Sequence, residues 1–185
     1  RSYPDTKIFE IEENYNDFIK SIFELTGSYE RFNLINRLIQ EEEINFIPRS
    51  RKDFKKIYII ADYAESKNFI PSLRFNYILD SEIYASSRSI FTIEDRKKLL
   101  DFSNVIIAVP NSFLYENKED SIDLYELTKL SFLQDLLIIS AIKKKDGNSQ
   151  NIPGNFANIR YSQNTCSDMN VNIVQIDNLG RFNLL

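Results

Sequence analysis

Six polar residues of this sequence have the types and the spacing of a ligand site, and they occur in pairs. The first two pairs end apolar runs and the third lies at the predicted start of a helix; the residues are Asp62, Tyr63, Asn111, Ser112, Asp123 and Glu126. A carboxylate near the amino end of a helix stays ionised, because the helix dipole lowers its pKa. An ionised carboxylate in a cleft suits nucleophilic attack on a sugar carbon. Glu126 is therefore the candidate catalytic residue, and the other five are candidates for substrate binding.

The three carboxylates also have a purely structural interpretation. Acidic residues are routine at helix starts, so Glu126 could simply face water. Asp123 could cap its own helix. Asp62 ends an apolar run, where an aspartate often caps the turn that follows. The sequence leaves both interpretations open.

The composition narrows the chemistry that this chain can perform. Histidine is absent and Cys166 is the only cysteine, so we expect no zinc centre, and a Ser-His-Asp triad is excluded. We predict no metal and no cofactor. The formal net charge of −4 gives no general reason to bind nucleic acid or an anionic membrane. No apolar run approaches the roughly 20 residues of a membrane span. Because a single cysteine cannot form an internal disulfide and no Asn-x-Ser/Thr acceptor occurs, we expect a cytoplasmic protein.

Apolar runs predict a central sheet. The run at 104–110 is apolar on both alternating faces, which is typical of a strand covered on both sides in a parallel sheet. The runs at 57–62 and 136–142 have the same character, and 171–176 predicts a last strand at the edge. With a helix at about 121–134, residues 104–142 predict a strand–helix–strand crossover. The carboxyl ends of such strands share a crevice where ligands bind.

The remaining chain predicts helices and loops around this sheet. Residues 10–27 and a segment that begins at Ser28 predict two helices, which either pack against the core or form an arm for dimerisation or partner binding. Pro71 is expected at the first position of a helix. The basic run at 49–56 is either solvated or a patch that attracts phosphate. Residues 148–170, rich in Asn and Ser, predict a flexible loop or a lid.

These patterns predict an α/β protein with a Rossmann-like three-layer domain, a mostly parallel central sheet and an N-terminal helical hairpin. Pro48 marks the expected boundary between a helical extension at 1–47 and the Rossmann-like domain at 48–185. Because the chain starts at Arg1 and not at methionine, we expect a piece of a larger protein.

The order of these segments resembles the nucleoside 2-deoxyribosyltransferase family. The resemblance is carried by Lys-Lys-Ile-Tyr-Ile-Ile-Ala at 55–61, Leu-Leu-Asp-Phe-Ser-Asn-Val-Ile-Ile-Ala-Val at 99–109, Asp-Leu-Tyr-Glu at 123–126 and Leu-Leu-Ile-Ile at 136–139. It implies that Glu126 attacks the anomeric carbon of a nucleoside or nucleotide. The family's glycine-containing stretch before the glutamate is replaced here by bulkier residues at 121–125, which would narrow a nucleoside pocket.

Two hypotheses of function follow. The first is cleavage of the N-glycosidic bond of a nucleoside or nucleotide, or deoxyribosyl transfer, with Asp62 or Asp123 orienting sugar hydroxyls. The second is a non-catalytic α/β domain of a larger assembly, which senses nucleotides or binds proteins. Residues 10–44 are then the expected surface for a homo-oligomer or a partner protein.

Overall fold

The computed structural model describes residues 6–11, 14–39, 45–93, 96–115, 124–144, 150–161 and 168–185. Its helices and strands, in chain order, are α1 (Tyr15–Ile22), α2 (Thr26–Leu38), β1 (Lys56–Ile59), α3 (Tyr63–Phe75), β2 (Glu82–Ala85), β3 (Val105–Val109), α4 (Ser112–Tyr115), α5 (Leu124–Lys144), β4 (Gln150–Pro153), β5 (Asn158–Tyr161), β6 (Asp168–Asn170), β7 (Asn172–Ile176) and β8 (Phe182–Leu184). The chain divides into a first unit, residues 1–55 and 68–81, and a second unit, residues 56–67 and 82–185. The domain boundary expected at Pro48 stays a prediction.

In the first unit, α1 is an amphipathic helix that buries its aromatic face. The Asn14 side chain accepts a hydrogen bond from the Asp17 N–H group (3.3 Å) and so caps the helix. Phe18 packs on Phe69, with ring centroids 6.1 Å apart. The helix predicted at 10–27 ends early, because Glu24 takes a left-handed φ of 55° and turns the chain.

The start of α2 also differs from the prediction. Gly27 does not end a helix but lies in the first turn of α2, and Ser28 is inside the helix and not its cap. The reason is a long-range contact: the buried Ser28 hydroxyl accepts a hydrogen bond from the Arg49 N–H group (3.0 Å). Pro71, expected to begin a helix, lies within α3. The acidic residues expected to end α2, at 41–43, lie outside the described residues.

The second unit contains a five-stranded mixed sheet with the order β1-β2-β3-β7-β8. The pairings β1–β2 and β2–β3 are parallel, whereas β3–β7 and β7–β8 are antiparallel. The α/β class is confirmed, and the prediction of a mostly parallel sheet is wrong. Alternate residues of β3 (Val105, Ile107 and Val109) are buried, and the residues between them are half-buried.

Residues 136–142 are not the predicted strand but lie in the last half of α5. A short apolar run has no period that separates a strand from a helix, so the sequence alone was ambiguous there. Tertiary contacts favour the helix. Three backbone N–H groups of the segment 155–157 donate hydrogen bonds to the carboxylate of Asp135 and so connect that segment to α5. The predicted crossover over 104–142, and the crevice that depends on it, are therefore wrong.

Residues 150–161 and 168–170 form a second, three-stranded antiparallel sheet with the order β4-β5-β6, and not a loop or a lid. The strand β5 alternates exposed and buried residues, with Ile159 and Tyr161 on the buried face. Such alternation outweighs the turn-forming tendency of the asparagines. The strand predicted at 171–176 is confirmed as β7, but β3 and β8 flank it, so it is not at an edge.

Candidate functional site

The carboxyl ends of β1, β2 and β3 lie at the same end of the five-stranded sheet, because the three strands are parallel neighbours. We call this end the carboxyl edge of the sheet. Asp62 and Tyr63 follow β1, and Asn111 and Ser112 follow β3, with β2 between the two pairs. Two strand spacings, about 10 Å, therefore separate the exits of β1 and β3. Asp123 lies outside the described residues, and Glu126 is in the first turn of α5.

Serine hydroxyls bind the carbonyl groups at this edge. The Ser89 hydroxyl donates to the Ala61 carbonyl (3.0 Å) and accepts from the Ser66 hydroxyl (2.9 Å). The Ser87 hydroxyl donates to the Ala108 carbonyl (2.7 Å). Ser66 and Ser89 are fully buried. Without these hydrogen bonds the buried polar groups would have no partner, because water does not reach them. The serines therefore stabilise the carboxyl ends of the strands.

Asp62 and Tyr63 make the contacts of a helix start. The Asp62 carboxylate accepts a hydrogen bond from the Glu65 N–H group (3.1 Å), which is the contact of an N-cap. The Tyr63 ring stacks on Phe102 with a centroid distance of 6.1 Å, and the Lys67 ammonium lies 5.4 Å from its centre. Burial raises the pKa of Tyr63, and the negative charge of Asp101 adds to the increase.

Asn111 is buried, and each end of its amide is bound. Its Nδ2 donates to the Gly154 carbonyl (2.8 Å), and its Oδ1 accepts from the Asn172 amide. The Ser112 N–H donates to the Asn155 carbonyl (2.8 Å). Both residues therefore join the carboxyl end of β3 to the segment 154–157 between β4 and β5.

Asp135 is the main residue that the sequence analysis missed. It is fully buried, and it accepts hydrogen bonds from the N–H groups of Asn155 (2.7 Å), Phe156 (3.0 Å) and Ala157 (3.0 Å). Four residues earlier on α5, the Ser131 hydroxyl donates to the Ser112 hydroxyl (3.0 Å). The spacing of Ser131 and Asp135 places both on one helix face, which was the signal available in the sequence.

Glu126, the candidate nucleophile, is exposed. Its carboxylate forms an ion pair with Lys129 (3.0 Å), and both side chains are about half exposed. Asp62 thus caps a helix, and Tyr63 stacks on another ring. Asn111 and Ser112 bind the segment after β4, and Glu126 forms an ion pair at the surface. Their catalytic and substrate-binding roles stay predictions.

The outer face of α2 has a different character, because it is apolar. Leu34 and Leu38 are 60% and 84% exposed, and Ile35 is also exposed. These residues are three and four positions apart, so they lie on one side of the helix. We call them the α2 face.

The first half of α2 anchors the helix independently of the α2 face. Phe32 stacks on Phe46 with ring centroids 4.2 Å apart, and Tyr29 meets the same ring edge-on at 5.3 Å. Ser28 adds its hydrogen bond to Arg49.

Within the described ranges, no three Asp, Glu or Cys side chains come close enough to hold a metal ion. Of the described helices, none is long and apolar enough to span a bilayer.

No protein-family model matches this sequence, and no curated protein matches it. Among solved structures, the chain is similar to LpoA from Haemophilus influenzae, whose C-domain is described as that of a regulator of PBP1A. The similarity to the C-domain has 16% identity and a TM-score of 0.47, and it covers 83% of this chain and 49% of that one. For full-length LpoA the identity is 16% and the TM-score is 0.45, over 69% of this chain and 25% of LpoA. This chain thus spans half or less of the LpoA chains that it matches.

The predicted resemblance to nucleoside 2-deoxyribosyltransferases is wrong, and so is the predicted N-glycosidic chemistry. The solved structures that are similar to this chain include those of LpoA. In addition, residues 136–139, which contributed to the resemblance as a strand, are helical in α5. Identity and TM-score are too low for the likeness to LpoA to carry a function.

Proposed function

We propose that this chain is a non-catalytic α/β domain that binds a partner protein through α2. The observation that supports this proposal is the α2 face, formed by Leu34, Ile35 and Leu38. Burying one such side chain stabilises a contact by about 1.5 to 3 kcal/mol, so three adjacent ones in water favour association. The α2 face lies within residues 10–44, the surface expected for a partner protein.

The anchoring of α2 explains why its apolar face can serve a partner. Stacking of Phe32 on Phe46 and the hydrogen bond of Ser28 hold the helix without any contribution from Leu34 or Leu38. Glu30, Arg31 and Arg37 are also exposed on this helix. The fitting partner surface is therefore an apolar groove with a polar rim that carries charges of both signs.

PBP1A is one candidate partner to test, and it is chosen only because LpoA is described as a regulator of PBP1A. For this candidate the proposal predicts that the native chain binds purified PBP1A in biolayer interferometry. Leu38→Glu should weaken binding at least about tenfold, or about 1.4 kcal/mol, because the contact would bury an unpaired carboxylate. Leu79→Glu is the matched control, because Leu79 is a comparably exposed leucine of the first unit. Equal binding by Leu38→Glu, or no binding by the native chain at about 100 μM, would contradict the proposal for this partner.

We also infer that β1, α3, β2 and β3 form the Rossmann-like part of the domain. The support is that β1 and β2 are parallel neighbours connected through α3, which is the order of a β-α-β unit. The cytoplasmic location stays a prediction from composition.

A further inference from the structure

The buried side of the helix α5 carries Ser131 and Asp135 together with the half-buried Ile138 and Ile139, and its opposite side exposes three leucines. Ser131 and Asp135 are buried, whereas Leu130, Leu133 and Leu137 are 56%, 54% and 70% exposed. A surface helix of a globular protein normally turns its leucines towards the core. We call the three exposed residues the leucine stripe.

The spacing of the leucine stripe is that of a helix–helix seam. Leu130, Leu133 and Leu137 are separated by three and then four residues, and Glu126 and Ser140 continue the alternation at the two ends. Residues with this spacing face the partner helix in a two-stranded coiled coil. The stripe is not needed to attach α5 to its own unit, because Asp135 does so through three hydrogen bonds.

The charges at the ends of α5 indicate which partner fits. Glu126 is in the first turn, and the helix closes on Lys143 and Lys144. Two such helices in antiparallel orientation bring the acidic end of each to the basic end of the other, and their dipoles also attract. The ion pair of Glu126 with Lys129 is half exposed, hence weak, and does not prevent this contact. A second copy of the chain supplies all of this complementarity.

We propose that two copies of this chain form a dimer through the leucine stripe, with their α5 helices antiparallel about a twofold axis near Leu133. In such a dimer the same patch serves on both copies, so the assembly closes at two chains. The leucine stripe belongs to the second unit and the α2 face to the first. The dimer is therefore independent of the proposed binding of a partner through α2.

Light scattering after size exclusion tests the dimer. We expect the native chain to approach twice its mass of 21.8 kDa as its concentration rises. Leu133→Glu places two carboxylates together at the axis and should raise the dimer dissociation constant at least about tenfold. Leu179→Glu is the control, because this leucine is comparably exposed in the same unit, and it should leave the dimer unchanged. Circular dichroism confirms that each variant is folded.

Disulfide formation tests the orientation, in a chain in which Cys166→Ser removes the native thiol. A pair of Gln134→Cys chains should oxidise to a disulfide, since this position lies beside the axis. Ala141→Cys should not, because its two copies are about 24 Å apart along antiparallel helices, far beyond disulfide reach. A mixture of Ala141→Cys and Glu126→Cys chains should link.

Three results would overturn the dimer: a native chain that is monomeric at every concentration, a Leu179→Glu variant that dissociates as readily as Leu133→Glu, or rapid self-linking of Ala141→Cys. The Leu38→Glu variant should dimerise normally, so a failed dimer and a failed α2 interaction remain distinguishable.

Discussion

Replacing Asp135 tests the contact that connects α5 to the segment between β4 and β5. The fully buried carboxylate accepts three backbone hydrogen bonds, of 2.7, 3.0 and 3.0 Å. Each bond to a charged acceptor contributes about 1.5 to 3 kcal/mol, but relaxation of the segment recovers part of the sum. We expect Asp135→Ala to lower the free energy of unfolding by about 3 to 5 kcal/mol.

Asp135→Asn is the sharper variant, because it keeps the shape of the side chain and replaces the charged carboxylate by a neutral amide. One carboxylate oxygen becomes an NH₂ group, which faces either the Asn155 N–H or the N–H groups of Phe156 and Ala157, donor against donor. We expect a loss of about 2 to 4 kcal/mol, so the urea midpoint should fall by about 1 M or more. Glu126→Gln, an exposed substitution on the same helix, should change the stability by less than about 0.5 kcal/mol.

Hydrogen exchange gives the local result. In Asp135→Asn, either the amide of Asn155 or the amides of Phe156 and Ala157 should lose protection before the amides of β3 do, because one of the two acceptor oxygens is gone. A variant as stable as the native chain, with these three amides fully protected, would show that the carboxylate does not hold α5 in place.

Two further substitutions follow from the second unit. Gly154→Ala should destabilise the chain by about 1 to 3 kcal/mol in urea titrations, because its Cβ would collide with the Asp135 carboxylate and lie 2.5 Å from the Ala157 carbonyl oxygen; native stability would contradict this packing. Asp177 binds the backbone N–H and the guanidinium of Arg181, and these contacts hold its pKa below the ordinary 3.8. Because the folded-state pKa is depressed, its stabilisation is present above about pH 4 and is lost as pH falls through the folded-state value. Urea midpoints from pH 5 to pH 2.5 should therefore fall less steeply in Asp177→Asn than in the native chain, and parallel curves would contradict the assignment.

Strands with alternating burial could be predicted from the sequence. Residues 105–109 and 172–176 are rich in Val and Ile, and both are strands of the five-stranded sheet. In these runs local preference and tertiary packing agree, which is why the pattern alone suffices. The strand β5 has the same alternation, but Asn158 and the asparagines that precede it in the sequence also fit a loop.

The helical state of 136–142 could not be predicted, because it depends on a contact between residues 20 or more positions apart. Leu136 to Ile139 suit a buried strand in isolation. Asp135 overrides this preference by binding the segment 155–157, and it leaves Leu136 and Leu137 facing solvent. Asp135, the polar residue before the apolar run at 136–142, was thus a better indicator of the helix than the run itself.

The candidate ligand residues were only partly placed by the sequence. The parallel order of β1, β2 and β3 does bring the exits of β1 and β3 to one edge, as predicted. What the side chains bind there depends on neighbours that no local pattern reveals, such as Gly154 and Asn172 around Asn111. Only the capping role of Asp62 had a local signal, because its acceptor reaches the N–H group three residues later.

The most direct test of the interaction domain is site-specific photo-crosslinking in cells that produce the chain. A photoreactive residue replaces Leu38 in one variant and Leu79, its matched control, in another. We expect a covalent adduct with a different protein from position 38, none from position 79, and loss of the adduct when Leu34→Glu is added. Equal adducts at both positions, or an adduct at neither, would contradict a role for the α2 face in binding a partner.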